Sequence, residues 1–495
     1  MASRFRQSWR LLRLQGLFVH RFRTPCEFDF DSKRPGEPSF QDPSDLDLFP
    51  FSFTLHFGVL TDLSLCLCDF PFDVDVFGVM SHSPTRLVNK CGFWIIVARN
   101  VWLAAVVGLL VHFYCGGSHG AYAFNDYMLA GLHWMRGENL YANWRGFVYS
   151  PVTAAFFAPF SCLPPALAYS LWLLANTVAL LWGVAALFKT NLFPSFRQKS
   201  VGIVYLLLLP LALGNLAVGQ ANPLVIGLLM CAIAAVRVKR WNIAALCVAI
   251  PTFFKIYPLA VGMLICLMAP RRFVWRLLLA LLLGAVAPFL FQHWSYVSEQ
   301  YHAWIGTRIA DNRLQYPEKY VPVDLWFVIH WVCRLPVQPR FYSFIQVAAG
   351  AAMALASIWG QWKNWKIERQ LIIPFFLGSV WMTLFGPATE SHTYLLLAPA
   401  LAIALVQSFH ERQPVVFRAM LSFAFALQLI NHDSRTLYLF HLKQRWVFAA
   451  QPLSALLLLG YSIYCLRKDS FDRDDVVVPE PLTVGGESER VSSLA

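Results

Sequence analysis

The sequence predicts an all-α polytopic membrane protein, and three observations support this fold class. The chain of 495 residues is 57% hydrophobic and only 14% charged, whereas a soluble domain usually carries about 25% charged residues. Its acidic residues are concentrated near the two ends of the chain, which leaves few in the long middle part. Apolar stretches separated by short basic clusters fill that middle part, as the positive-inside rule expects of membrane proteins.

The apolar pattern predicts about 10–13 transmembrane helices. The predicted spans lie near residues 93–114, 166–188, 201–213, 223–236, 242–254, 258–270, 274–291, 342–360, 371–386, 393–408, 415–430 and 447–466. Several are shorter than the ~20 residues that a straight span needs. We therefore expect broken or tilted helices over 201–236 and 242–270. The expected breakers are Gly214, Pro223, Pro251 and Pro258.

The chain divides into three parts by composition. Residues 1–80 form an N-terminal extension that mixes Arg-rich, acidic and Pro-containing stretches. This extension is expected to be disordered or to precede the true start, because Met80 opens a normal lead-in to a first membrane helix. Residues 91–466 form the predicted membrane core, and residues 467–495 form a polar cytoplasmic tail.

The charged residues predict which loops face which side. Placing the segment before residue 93 in the cytoplasm makes the cytoplasmic loops short and basic, and it puts most acidic residues of the core outside. Short cytoplasmic loops that simply exclude acids would explain this distribution. An external active site built from several loops would explain it as well. The long external segments 115–165 and 292–341 favour the active site, because loops of that length usually carry function or structure of their own.

Two external segments hold polar residues with a possible binding or catalytic role. Asp126 lies in the first long loop and precedes an amphipathic stretch, so it either caps a helix and complements its dipole or belongs to a site. Gln220 and Asn222 interrupt a strongly apolar region. They either form a tight turn or donate amide hydrogen bonds to ligand hydroxyls.

Further charged residues lie at predicted membrane edges. Lys255 is costly among so many apolar residues; it either snorkels to the interface or pairs with an anion such as phosphate. Arg313 could grip a phosphate bidentately or form a surface salt bridge. Glu390 and His392 lie where one span ends and another begins. We favour a site role for this pair over interfacial solvation alone.

In this order and spacing, these segments resemble the GT-C glycosyltransferases. Within them they resemble family 87, the polyprenyl-phosphate-mannose-dependent mannosyltransferase-like proteins. The resemblance covers about residues 93–430. It is carried by Asp126, Gly137–Tyr141, Tyr149–Pro151, Gly219–Asn222, Lys255–Pro258, Arg271–Arg272 and Glu390–Tyr394. The chain departs from the family pattern at Ser150, where a second aromatic or Pro-rich contact is expected.

The resemblance implies a hexosyltransferase that takes a hexose, with mannose favoured, from a polyprenyl-phosphate donor and inverts its anomeric centre. It implies a multi-pass protein of the cell (inner) membrane whose active site faces outward, with the bilayer, the donor and a lipid or glycan acceptor as partners. No cofactor, metal ion or nucleic acid is expected. Asp126 carries over as the catalytic base. Lys255, Arg313 and His392 are candidates for the leaving phosphate, and Gln220, Asn222 and Glu390 for sugar hydroxyls.

Three other interpretations compete with that of a hexosyltransferase. The first is a transporter or flippase of a lipid-linked glycan, which would favour internal repeats and polar residues at mid-membrane; the polar residues here cluster at one face instead. The second is another membrane transferase that resembles the O-antigen ligases and has several Arg residues in a large external loop. The third is an inactive member of the family.

Overall fold

The computed structural model describes residues 88–116, 120–142, 147–194, 196, 198–310, 322–386, 389–430 and 445–467. Within these ranges every regular element is helical. The predicted all-α fold class of a multi-pass membrane protein is confirmed. The N-terminal extension, nearly all of the predicted tail and Arg313 lie outside the described residues.

Of the fifteen main helices that the structure describes, twelve correspond to the predicted spans and three lie in the predicted long external segments. In chain order they are α1 (Val88–Gly116), α2 (Tyr122–Arg136), α3 (Pro151–Phe157), α4 (Pro165–Lys189), α5 (Gln198–Val218), α6 (Asn222–Arg237), α7 (Trp241–Phe254), α8 (Leu259–Met268), α9 (Pro270–Val286), α10 (Trp294–Ala310), α11 (Pro339–Trp362), α12 (Ile367–Leu384), α13 (Ala398–His410), α14 (Val415–Leu429) and α15 (Ala450–Arg467).

Five of the described helices are long and apolar enough to cross a membrane by themselves. The five spans are Gly92–Gly116, Pro165–Lys189, Lys199–Val218, Pro270–Leu290 and Pro339–Trp362. The fourth span joins α9 to the short 3-10 helix Ala287–Leu290. Large apolar side chains remain exposed on these spans, such as Leu283 in α9 and Phe344 in α11. In water such surfaces would be costly, whereas the acyl chains of a bilayer solvate them.

Both predicted interruptions are present, but two of the expected breakers are wrong. Helix α5 continues through Gly214 and ends at Val218, and the chain turns at Gly219 with φ of 72°. A glycine inside a helix costs only about 1 kcal/mol, whereas a left-handed φ ends the helix. Pro251 likewise lies inside α7, which ends at Phe254.

The start predicted at residue 393 for the tenth span is also wrong. Residues Ser391–Leu396 form a 3-10 helix, and the α-helix α13 begins only at Ala398. Glu390 is the N-cap of the 3-10 helix: its side chain accepts from the backbone of Thr393, and Thr393 Oγ1 accepts from the Glu390 amide at 3.2 Å. This tight turn holds the chain in place where it enters α13.

Contacts between helix ends and between loops define two opposite ends of the helix bundle. At one end, which we call the basic end, Arg237 Nη2 lies 2.6 Å from Glu368 Oε1. There also the buried Arg369 donates to the carbonyl of Leu466 at 3.1 Å. At the other end, which we call the site end, the loop after α5 contacts the segment before α13 through Gln220 and Glu390.

The two long loops pack against each other at the site end. Gln292 Nε2 donates to the carbonyl of Trp134 at 2.7 Å, and Tyr296 donates to the carbonyl of Glu138 at 2.7 Å. Gln300, which is buried, accepts from the Leu140 amide at 2.9 Å. Helix α10 therefore supports the first loop and α2, the helix that carries Asp126.

Candidate functional site

Asp126 lies on the accessible side of α2. The helix begins at Tyr122, after an N-cap residue, Ala121, that makes no side-chain cap. Asp126 is thus more than one turn into the helix, too far along to cap it. The neighbouring Phe124 and Tyr127 are fully buried and anchor the helix, while Asp126 stays exposed. Helix capping therefore does not explain why a carboxylate is placed here.

The surroundings of Asp126 disfavour its charge. The protein that surrounds the carboxyl raises its pKa by desolvation, and the negative charge of Glu390 raises it further. The side chain nevertheless remains accessible to solvent. An accessible carboxyl with a raised pKa is suited to take a proton from a bound ligand.

The turn at Gly219 and Gln220 connects α2 to the Glu390 segment. A Cβ on Gly219 would lie 2.5 Å from the Phe124 Cβ, so only glycine lets the turn approach α2 this closely. The Trp172 indole donates to the Gly219 carbonyl at 2.8 Å and holds the turn there. The buried Gln220 then accepts from the Tyr127 hydroxyl at 3.5 Å and donates to Glu390 Oε2 at 3.5 Å.

Asn222 ties the same turn to the backbone of the Glu390 segment. Its side chain is completely buried. Its Nδ2 donates to Asn215 Oδ1 at 2.8 Å and to the carbonyl of His392 at 2.9 Å. These contacts favour a supporting role for Asn222 over direct contact with a ligand.

Lys255 lies in the break between α7 and α8. The chain leaves α7 in an extended conformation at this residue, with φ of −146° and ψ of 130°. Its Nζ lies 5.7 Å from the centre of the Tyr257 ring. Burial lowers the pKa of Lys255, and Glu390 and Tyr127 oppose that change by favouring its positive charge. Snorkelling alone therefore does not describe Lys255, because it faces charged and phenolic groups of the protein.

Glu390 and His392 differ in their surroundings. Glu390 is exposed and interacts electrostatically with both Asp126 and Lys255. His392 is buried, and its ring centre lies 6.2 Å from that of Tyr122 in α2. The structure thus brings Asp126, Lys255 and Glu390 together as a charged cluster, with Gln220 and His392 beside it.

Three tyrosines at the cluster were not identified as site residues from the sequence. Tyr127 and Tyr149 have ring centres 5.0 Å apart, and the centre of the Tyr257 ring lies 5.7 Å from Lys255 Nζ. Burial raises the pKa of Tyr127 to about 12, so its hydroxyl stays protonated and can donate. Its place directly after Asp126 was the available signal, but aromatic residues are too frequent in this chain for one to stand out.

One family of known proteins matches the chain. The model of glycosyltransferase family 87 matches residues 147–387. The matched region includes Gln220, Asn222, Lys255 and Arg313, begins after Asp126 and ends just before Glu390. No curated protein matches the chain.

Proposed function

We propose that this chain, a membrane glycosyltransferase of family 87, transfers a hexose from a polyprenyl-phosphate donor to a lipid or glycan acceptor. Mannose is the hexose that the resemblance favours. The proposal extends the family assignment to the chemical class of the donor and to the residues that act on it. It needs no cofactor beyond the donor itself.

The charged cluster is the observation that carries this proposal. Asp126 and Glu390 are exposed, and Lys255 is half-buried, so ligands can reach all three. Their charges influence one another, although they come from three distant parts of the sequence. A proton acceptor suits the hydroxyl that must lose its proton, and a cation suits the phosphate on which negative charge grows.

The reaction assigns one proton transfer to Asp126. Its carboxylate takes the proton of the acceptor hydroxyl while that oxygen forms a bond to the anomeric carbon of the sugar. The bond between the anomeric carbon and the phosphate oxygen breaks, and its electron pair leaves with the polyprenyl phosphate. Attack from the side opposite the phosphate inverts the anomeric centre.

Lys255 would stabilise the leaving phosphate, whose negative charge grows as the bond breaks. Glu390 would accept hydrogen bonds from sugar hydroxyls, and Gln220 would hold Glu390 in position through its amide. Asn222 would act through the turn that it anchors. His392 beside the cluster and Arg313 in the second loop remain candidates for further phosphate contacts. The exposed apolar helices suit a donor with a polyprenyl tail.

Transfer from radiolabelled polyprenyl-phosphate-mannose tests the proposal. Membranes that contain the wild-type chain should label a lipid or glycan product, and Asp126→Asn should abolish the labelling at equal protein levels. Glu138→Gln is the matched control, because Glu138 is an exposed carboxylate of the same long loop. Full activity of Asp126→Asn would remove Asp126 as the base. A wild-type protein that transfers no sugar but moves the lipid-linked sugar across vesicles would replace the proposal with the transporter.

A further inference from the structure

One backbone carbonyl near Lys255 accepts hydrogen bonds from two side chains of another helix. Ser150 Oγ donates to the carbonyl of Phe253 at 2.7 Å, and Thr153 Oγ1 donates to the same oxygen at 3.0 Å. Both side chains are almost completely buried. The last carbonyls of a helix have no hydrogen-bond donor within the helix. The two hydroxyls therefore supply donors to one such carbonyl, that of Phe253 at the end of α7.

Ser150 occupies a position where serine usually serves its own helix. It is the N-cap residue of α3, yet its side chain makes no cap there. Serine is favoured at this position because its oxygen accepts from the first free amides of the helix. Here the hydroxyl reaches across to α7 instead. Stabilisation of α3 therefore does not explain the contact.

The aromatic residues beside this carbonyl fix the same helix end. Phe254 is buried, and its ring centre lies 5.7 Å from that of Phe156 and 5.9 Å from that of Trp172. Phe156 belongs to α3, the helix that Ser150 precedes. Hydroxyls hold the backbone at Phe253 and aromatic rings hold Phe254, so the chain enters Lys255 in a defined direction.

We infer that Ser150 and Thr153 are positioning residues that place the Lys255 ammonium for the phosphate of the donor. The inference rests on the proposed function, in which Lys255 stabilises that phosphate. Ser150 and Thr153 act through the backbone of α7, and neither touches the substrate. The serine that departs from the family pattern thus acquires a specific task in this chain.

Two variants that each remove one hydroxyl test the inference, namely Ser150→Ala and Thr153→Val. Each should raise the KM for the polyprenyl-phosphate sugar about five-fold, as expected for one neutral hydrogen bond, and leave the KM for the acceptor unchanged. Ser150→Thr, which keeps a hydroxyl, should restore the donor KM. In a Lys255→Met background, Ser150→Ala should have no further effect on the donor KM.

Thr177→Val is the matched control. The Thr177 side chain is also buried, and its hydroxyl donates to a backbone carbonyl, that of Leu173 at 2.8 Å, but this contact stays within α4 and does not reach α7. The KM of the Thr177→Val variant for the donor should equal that of the wild type. Donor KM values unchanged in both Ser150→Ala and Thr153→Val, or raised equally in Thr177→Val, would overturn the inference.

Amide hydrogen exchange separates failure of this inference from failure of the proposed function. Exchange of the segment 253–257 should rise several-fold in Ser150→Ala and stay unchanged in Thr177→Val, whether or not the protein transfers sugar. A wild-type protein without transfer activity would refute the proposed function, and the exchange rates would still show whether Ser150 fixes the backbone. Unchanged exchange in Ser150→Ala would overturn the inference even in an active enzyme.

Discussion

At the scale of single residues, the charged cluster combines groups whose charges oppose or support one another. Glu390 disfavours the charge of Asp126 and favours that of Lys255. The same carboxylate accepts from the amide of Gln220 at 3.5 Å and from the backbone of Thr393. Glu390 thus links the electrostatics of the cluster to its hydrogen bonds, and its removal should affect both.

Replacing Glu390 should change the pH dependence of transfer. Burial and then the charge of Glu390 raise the pKa of Asp126, and a base is active only when it is deprotonated. Activity should therefore fall as the pH drops through this pKa. In Glu390→Gln the contribution of Glu390 is lost, so the fall should occur at lower pH in a profile of kcat/KM. A fall at the wild-type pH or above it would contradict the assignment of Asp126, and Glu138→Gln should leave the profile unchanged.

Removing the Tyr127 hydroxyl should weaken activity without unfolding the protein. In Tyr127→Phe the Gln220 amide loses its donor and holds Glu390 less firmly. A neutral hydrogen bond contributes about 1 kcal/mol, which corresponds to a decrease of about five-fold in kcat/KM. Tyr205→Phe removes a hydroxyl of a half-buried tyrosine that donates to the carbonyl of Leu181 at 3.1 Å. It should keep wild-type activity; equal losses in both variants would assign Tyr127 to stability alone.

The sequence could predict the charged members of the site but not the residues that hold them. Asp126, Lys255 and Glu390 are conspicuous because charges are rare in an apolar chain. Tyr127, Ser150 and Thr153 are of types that occur throughout membrane helices, and only their distances to Gln220 and Phe253 distinguish them. These hydrogen bonds join partners that are separated by 93 to 103 positions in the sequence. Such contacts depend on tertiary packing, which local sequence patterns do not encode.

At the scale of helices, the apolar pattern predicted twelve of the fifteen main helices in the described part of the chain but not α2, α3 and α10, which lie in the two long external segments. The long apolar runs gave α4 and α11 to within three residues at each end, because hydrophobic length is a direct physical requirement of the membrane. The breaks were harder to locate. Proline and glycine within α5 and α7 were expected to end them, but neighbouring helices support such residues in membrane proteins.

The crossing of α4 and α6 should tolerate no added side chain. A Cβ on Gly227 would overlap the carbonyl of Ala179, and one on Gly183 would overlap the carbonyl of Gly227. Small residues of this kind let two membrane helices approach closely. Gly227→Val should therefore destabilise the protein by about 1–3 kcal/mol or more and lower its melting temperature in detergent.

The control for this crossing is Gly460→Ala in α15. A Cβ at Gly460 would meet no atom within 4 Å, and the melting temperature should stay close to that of the wild type. Alanine also favours a helix over glycine by about 1 kcal/mol. A melting temperature of Gly227→Val equal to that of the wild type would contradict the close crossing.

At the scale of the whole molecule, the two ends of the bundle serve different tasks. The basic end is closed by contacts within the protein, since Arg369 is buried, donates to the carbonyl of Leu466 and lies 4.0 Å from the centre of the Trp365 ring. The site end instead leaves Asp126 and Glu390 exposed. Such a division fits a protein that is held together at one surface of the membrane and binds substrates at the other.

The charge difference between the ends predicts the orientation in the membrane. Basic residues in short loops remain in the cytoplasm, so the loops that hold Lys239, Arg272 and Lys363 should face inward and the charged cluster outward. An epitope tag inserted after Gly137 at the site end should bind antibody on intact spheroplasts. The same tag inserted after Lys363, which lies in an exposed turn between α11 and α12, should bind only after permeabilisation. The reverse pattern would place Asp126 on the cytoplasmic side, where the acceptor would have to be a cytoplasmic molecule.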